Sequence, residues 1–427
     1  APAWHLFAVF VSAIACVLIG SFPLLTASMI AVATVVLTDT LTPAQAFSGF
    51  ANASVLLVVI AFIVAQAVVK SGLGRRISLL MVSRFGGSPL GLAYSLVLTD
   101  AAIAPAFPSN TARGGVLFPI VLSISKGAGS EPDSPEGRRL GGYLMFCAMA
   151  GLSVSSALWL TATSCNPIGV QIAQQHGMEI GFADWLIASS VPTLSAILIL
   201  PLLVAKIFSP GIGATPEAPL AARKDLAGMG AMSRDERITL VTFAVMVAGW
   251  VAGSALQING TPVAFMGFGV LLVSGVLTLE DISKQGDTLA TFLWLAILFA
   301  LSAQLNELGF MGYVGERLAT RMGGLDWPVL YVALVALYVV LHYFFVSQTS
   351  QMLALLAVFL DVGIRGGVPA ALMAPGLLFA SSYFSVITPQ GGSQNVIFVG
   401  SGYLTQGELY RLGLLITLFF LAVFLVV

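Results

Sequence analysis

From residue 5 to 20, 23 to 38 and 54 to 69 the chain carries no Asp, Glu, Lys or Arg. Each of these runs is apolar, and roughly 17–25 such residues cross the hydrocarbon of a bilayer. Further apolar runs fall near 185–207, 238–256, 262–278, 288–306 and 409–427. In lipid, a chain built from such runs satisfies its backbone only as helices. The expected fold class is an all-α polytopic membrane protein. Composition agrees: of 427 residues, 58% are hydrophobic and 9% charged, where soluble domains carry about 25% charged residues. A net charge of −1 offers nothing to nucleic acid. Cys16, Cys147, Cys165, His5, His176 and His342 lack metal-ligand spacing, so neither a disulfide framework nor a metal centre is expected.

Two short polar triplets interrupt this pattern: Ser109-Asn110-Thr111 and Ser347-Gln348-Thr349. Hydroxyls and amides at membrane depth are costly unless they are used. Pro105 and Pro108 break any helix that reaches the first triplet. The surrounding stretches, 88–125 and 327–363, each suit a re-entrant helical hairpin with the triplet at its tip. Two other stretches, 140–175 and 368–402, are too long for one clean span. Thr161-Ala-Thr163-Ser164-Cys165-Asn166-Pro167 interrupts the first, and Thr388-Pro389-Gln390-Gly391-Gly392-Ser393-Gln394-Asn395 the second. Irregular backbone at this depth belongs where it lines a cavity or is buried in protein.

The two halves of the chain match. Arg84-Phe-Gly-Gly87 answers Arg321-Met-Gly-Gly324, Gln66 answers Gln304, and Ser155-Ser156 answers Ser381-Ser382. Each half has about five full crossings and one re-entrant hairpin. An odd number of crossings turns the second half over, giving two inverted repeats, a plan common among secondary transporters. With the 70–87 loop in the cytoplasm, most of the 18 basic residues fall on that side. Arg317, Arg321 and Arg365 fall outside, and Arg113 lies within the membrane.

Half-helix N-termini carry partial positive charge and free N–H groups. Ser, Thr, Asn and Gln donate and accept without titrating. Together they suit a small carboxylate, and two related tips facing each other would suit a ligand with a carboxylate at each end. The residues expected to bind it are Ser109, Asn110, Thr111, Ser347, Gln348 and Thr349 at the tips. Thr161, Thr163, Ser164, Asn166, Thr388, Pro389, Ser393 and Asn395 at the breaks would support them. The same residue types also glue membrane helices together. Arg113 is costly at this depth and needs a partner. It either pairs with Asp100 or offsets substrate charge. His342 is either a packed neutral side chain or a second charge-compensating group. No nucleophile–base pair stands out, so an intramembrane enzyme is the weaker reading; a channel is a third.

The run from Tyr94 to Gly115, with Asp100, Pro105 and Pro108-Ser-Asn-Thr-Ala-Arg113-Gly-Gly, resembles the divalent anion/sodium symporter family. It is closest to bacterial citrate/succinate-type antiporters and chloroplast oxoglutarate/malate translocators. Trp4-His5-Leu-Phe-Ala, Gly72-Leu-Gly74-Arg-Arg76-Ile and Leu160-Thr161-Ala extend the likeness over essentially the whole chain. The resemblance implies an elevator transporter, usually a homodimer, in the cell inner membrane. It implies substrates such as succinate, malate, fumarate, tartrate, 2-oxoglutarate or citrate. A scaffold (1–87 and 236–325) would hold a moving transport domain (88–208 and 326–427), with 209–235 as a cytoplasmic linker. Gln348 stands where sodium-coupled members have Asn. With Arg113 it favours exchange over sodium symport, leaving at most a residual sodium site near Ser109 and Asn110. The family's additional N-terminal span is absent, which fits trimming.

Overall fold

The computed structural model describes residues 2–426 except Pro135, Glu136, Gln257, Met322, Gly323, Gly324 and Val346. The match expected at Met322–Gly324 therefore lies outside the described residues. Every regular element among them is helical.

The chain opens with α1 (Pro2–Leu18), α2 (Leu24–Leu37), a one-turn α3 (Pro43–Ala46), α4 (Ala53–Ser71) and α5 (Leu73–Phe85). Next come α6 (Pro89–Ile103) and α7 (Asn110–Gly127), joined at the first triplet through a 3-10 turn (Ala104–Ala106). Then follow α8 (Arg139–Ser155), α9 (Cys165–Gln175), α10 (Phe182–Ile207) and α11 (Glu217–Met229). The same order of elements returns with α12 (Arg234–Leu256), α13 (Gly260–Val273), a short α14 (Leu279–Ser283), α15 (Gly286–Glu307) and α16 (Phe310–Arg321). The second triplet joins α17 (Trp327–Leu341) to α18 (Gln348–Arg365), before α19 (Ala370–Tyr383), α20 (Ser393–Val399) and α21 (Gln406–Val426). Among the described residues, seven helical segments are long and apolar enough to cross a membrane.

Two expectations shift. The first break runs from 156 to 164, so Cys165, Asn166 and Pro167 already belong to α9. Pro167 sits in that helix's first turn, where its missing N–H has no intrahelical partner to lose. The second break holds two 3-10 turns, Phe384–Val386 and Pro389–Gly391, and Ser393–Asn395 already open α20. The 209–235 linker contains α11. Its alanines and alternating charges favour helix, and the Pro-rich flanks hid that pattern.

The chain forms two compact units. The first comprises residues 1–63, 164–180 and 279–381. Its core is α15, where Leu295–Leu301 are buried along the whole circumference. A helix apolar all round belongs inside a protein. Phe7 stacks on Phe310 at 4.3 Å, and Trp4 meets Phe310 edge-on at 5.1 Å. Backbone contact of Gly49 with Ala296 leaves no room for a side chain there.

The second unit comprises residues 64–163, 181–278 and 382–427. Its core is α8, buried from Leu140 to Ser155. Gly141 accepts the ring of Tyr403, and Tyr143 donates to the Pro201 carbonyl at 3.0 Å. That carbonyl lies in α10, a helix with two internal prolines, Pro192 and Pro201. Arg138 forms a two-pronged pair with Glu408, at 2.6 and 2.9 Å.

The linker is strapped along α5. Thr215 donates to the carbonyls of Gly86 and Gly87. At the other end Arg76 grips Glu236 at 2.6 and 3.1 Å and donates to the carbonyl of Gly230. Planar guanidinium–carboxylate pairs fix orientation as well as distance. Arg76→Ala is expected to free this end of the strap. Limited trypsin digestion should then cut at Arg223 and Lys224 several-fold faster than in the parent protein.

Candidate functional site

Both triplets form helix caps. Ser109 and Ser347 have extended backbones (φ −145° and −130°), and their hydroxyl oxygens accept from the N–H of Ala112 and Ser350. Capping uses an acceptor lone pair and leaves the hydroxyl proton as a donor. The next two residues, Asn110-Thr111 and Gln348-Thr349, thus stand in the first turns of α7 and α18, at their positive ends.

In the second unit Thr111 is hydrogen-bonded to Ser393, at the start of α20. Behind Ser393, Asn395 donates to the carbonyls of Ser385 (2.7 Å) and Thr388 (2.9 Å), clamping the second break. Pro389 opens the 3-10 turn between them. Gln394 donates to Ser153, and Ser153 bonds Ser385 at 3.0 Å, which ties the break to α8. Thr161 donates to the Pro105 carbonyl at 2.9 Å, so its hydroxyl holds the first break against the hairpin turn. Thr163, two residues on, is buried. Three buried oxygens here have no hydrogen-bond partner among the described residues: Thr388 Oγ1, Gln394 Oε1 and Asn395 Oδ1.

Arg113 lies fully buried beneath the same tip. Its Nη1 contacts Asp100 Oδ2 at 2.8 Å and Ser155 Oγ at 2.9 Å. Its Nη2 donates to Asn110 Oδ1 at 2.6 Å and also to Ser156. A guanidinium can only donate, so the Asn110 atom facing it is the oxygen. Ser156 donates to that same oxygen at 2.7 Å. Asn110 is therefore held with its oxygen inward. Of the two roles open to Arg113, the structure shows the pairing: a guanidinium this deeply buried takes an internal counter-ion, and Asp100 of α6 supplies it.

In the first unit the second tip meets the first break. Thr349 Oγ1 lies 3.2 Å from Cys165 Sγ and 3.4 Å from Ser164 Oγ. Two helix N-termini, those of α18 and α9, thus converge at Thr349. Asn166 is buried in the first turn of α9. Gln348 donates to the Ser381 carbonyl at 2.9 Å. A carbonyl only accepts, so the Gln348 amide nitrogen faces α19. His342 is buried, with Nδ1 2.7 Å from Gln351 Oε1, and Gln351 Nε2 donates to the Tyr338 carbonyl at 2.7 Å. The Tyr338 hydroxyl bonds Ser381 at 3.1 Å.

The residues missed from sequence are Tyr338, Gln351 and Cys165. Two of them were findable by register. Gln351 stands four residues after Ser347 as Arg113 stands four after Ser109, and Tyr338 precedes Ser347 by nine as Asp100 precedes Ser109. The first tip rests on an ion pair, and the second on an imidazole, an amide and a phenol at the same register. Each unit joins one triplet to a break from the other half of the chain. Among the described residues no group of three or more His, Cys, Asp or Glu could hold a metal ion.

Comparison with known proteins gives a family match over residues 1–427, to the transmembrane region of the sodium:sulfate symporters. Dicarboxylate transporter 2 of the chloroplast of Spinacia oleracea is 35% identical, over 96% of this chain and 74% of that protein. The citrate/succinate antiporter of Escherichia coli (strain K12) is 31% identical, over all of this chain and 91% of that protein. Among solved structures, MtrF of Neisseria gonorrhoeae superposes with a TM-score of 0.65 at 17% identity, over all of this chain and 94% of that chain. This last likeness concerns the fold alone.

Proposed function

Since this chain belongs to the sodium:sulfate symporter transmembrane family and is a multi-pass membrane transporter, not an enzyme, we propose that it exchanges C4–C6 di- and tricarboxylates across the cell membrane. The observation that carries this reading is the pair of uncharged donor sets at helix N-termini. In one unit it is Ser109, Asn110 and Thr111 with Ser393. In the other it is Ser347, Gln348 and Thr349 with Ser164. N–H dipoles and hydroxyls that cannot titrate suit a carboxylate that must be released again. A named citrate/succinate antiporter and a named dicarboxylate transporter among the relatives support the substrate class and the exchange mode.

On this reading the halves are inverted repeats. Residues 88–208 and 326–427 travel as a transport domain against 1–87 and 236–325, in a homodimer. Thr163, Asn166, Thr388, Pro389 and Asn395 shape the breaks, and Arg113 and His342 hold the tips. A second reading, sodium-coupled symport, is favoured by the three unpartnered oxygens of Thr388, Gln394 and Asn395, which suit a hard cation.

Counterflow in proteoliposomes decides between them. Labelled succinate should enter vesicles preloaded with dicarboxylate at least tenfold faster than empty vesicles, with or without sodium. Uptake into empty vesicles that requires a sodium gradient overturns the exchange reading in favour of symport.

A further inference from the structure

A cavity of about 500 Å³ lies within the second unit, and no residue of the first triplet lines it. Ligand pockets span about 300–1,000 Å³ and are mostly apolar with a few polar groups. Its walls are the end of α4 (Val68), the inner face of α5 (Leu79, Val82) and the face of α7 bearing Val116 and Ile120. Its roof is α11, which turns Ala218, Ala221 and Ala222 towards it between Glu217 and Asp225. The linker is pinned at both ends, by Thr215 and by Arg76, so it cannot sag inward. Alanines on a pinned helix leave the space open, where leucines would close it. Hollows of this size are unusual between packed helices, and the mostly apolar part of this one holds water poorly. The space therefore suits a flexible apolar chain.

Its mouth is charged. Arg75, Asp225 and Glu217 line it, and Arg75 pairs with Asp225 at 3.3 Å while both side chains are more than half exposed. Such a pair is weak and exchanges partners readily. The mouth lies where α4 ends and the amphipathic, basic α5 begins, the position of a membrane–water boundary. One guanidinium beside two carboxylates complements a headgroup carrying one phosphate and one primary ammonium, whose N–H groups can donate to both carboxylates.

We propose that this cavity binds a phospholipid with an ethanolamine headgroup. One acyl chain fills the hollow beneath α11, the phosphate sits on Arg75, and the ammonium sits between Asp225 and Glu217. The lipid completes the packing between α11 and α7. This inference does not depend on the transported substrate.

The test is native mass spectrometry of the purified protein in mild detergent, followed by titration of the delipidated protein with phosphatidylethanolamine, phosphatidylcholine or phosphatidylglycerol. The expected result is one retained phosphatidylethanolamine per chain, bound at least tenfold tighter than the other two. Ala221→Phe, which fills the hollow, should abolish retention while the melting temperature in detergent stays equal or rises. Arg75→Gln, which leaves the hollow intact, should weaken binding about tenfold. No retained lipid, equal binding of the three headgroups, or unchanged retention in Ala221→Phe each overturns the proposal.

Discussion

Asp100→Ala is expected to leave the protein poorly folded. Arg113 and Asp100 side chains are 0% and 1% exposed and meet at 2.8 Å. Removing one member of a buried pair strands the other charge and costs about 3–5 kcal/mol. That is a large part of the stability of a typical domain, about 5–15 kcal/mol. The loss should appear as a lower melting temperature and an aggregated peak in size-exclusion chromatography. The double variant Asp100→Asn, Arg113→Gln removes both charges and keeps hydrogen-bonding shape. It should recover most of the lost stability, because the second hairpin already works with Gln351 at the register of Arg113. A double variant no more stable than Asp100→Ala would mean that the pair has a role beyond mutual neutralisation.

Thr349→Val should remove most transport while leaving the fold intact. Among the described residues the hydroxyl bonds the edge of α9, through Ser164 and Cys165, and valine keeps the shape. A hydrogen bond to a charged group contributes about 1.5–3 kcal/mol. Losing one to a carboxylate raises the half-saturation concentration about 10- to 150-fold. Exchange kinetics over a wide range of external succinate would show it, with the melting temperature as control. An unchanged half-saturation concentration would remove Thr349 from the site. Asn110→Ala is a poorer probe, since Asn110 Oδ1 also takes bonds from Arg113 and Ser156.

Much of this architecture could be read from the sequence because the bilayer leaves few options. Uncharged runs had to be helices, and Pro105 and Pro108 had to end one. The order of the apolar helices and the turns at both triplets followed from those constraints, whereas α11 did not. The breaks were located to within a few residues, but their boundaries were not. Cys165, Asn166 and Ser393 were read as unwound because polar residues and prolines cluster there. In three dimensions they open helices, where polar side chains cap and proline is tolerated. The choice of partner for Arg113 was also open. Only geometry shows Asp100, Ser155, Ser156 and Asn110 arranged around one guanidinium. Joining each triplet to a break from the opposite half is a long-range pairing that no local pattern encodes.

Arg113 and Asp100 cancel one another, and the second tip offers only amides, hydroxyls and an imidazole. The described tip residues therefore bring no unpaired permanent charge to whatever is moved. A dianion crossing alone would feel the full membrane voltage, about 2.3 kcal/mol per charge for each 100 mV. Trading one dianion for another in opposite directions cancels that work, so a one-for-one swap is electrically silent whatever the cell's resting potential.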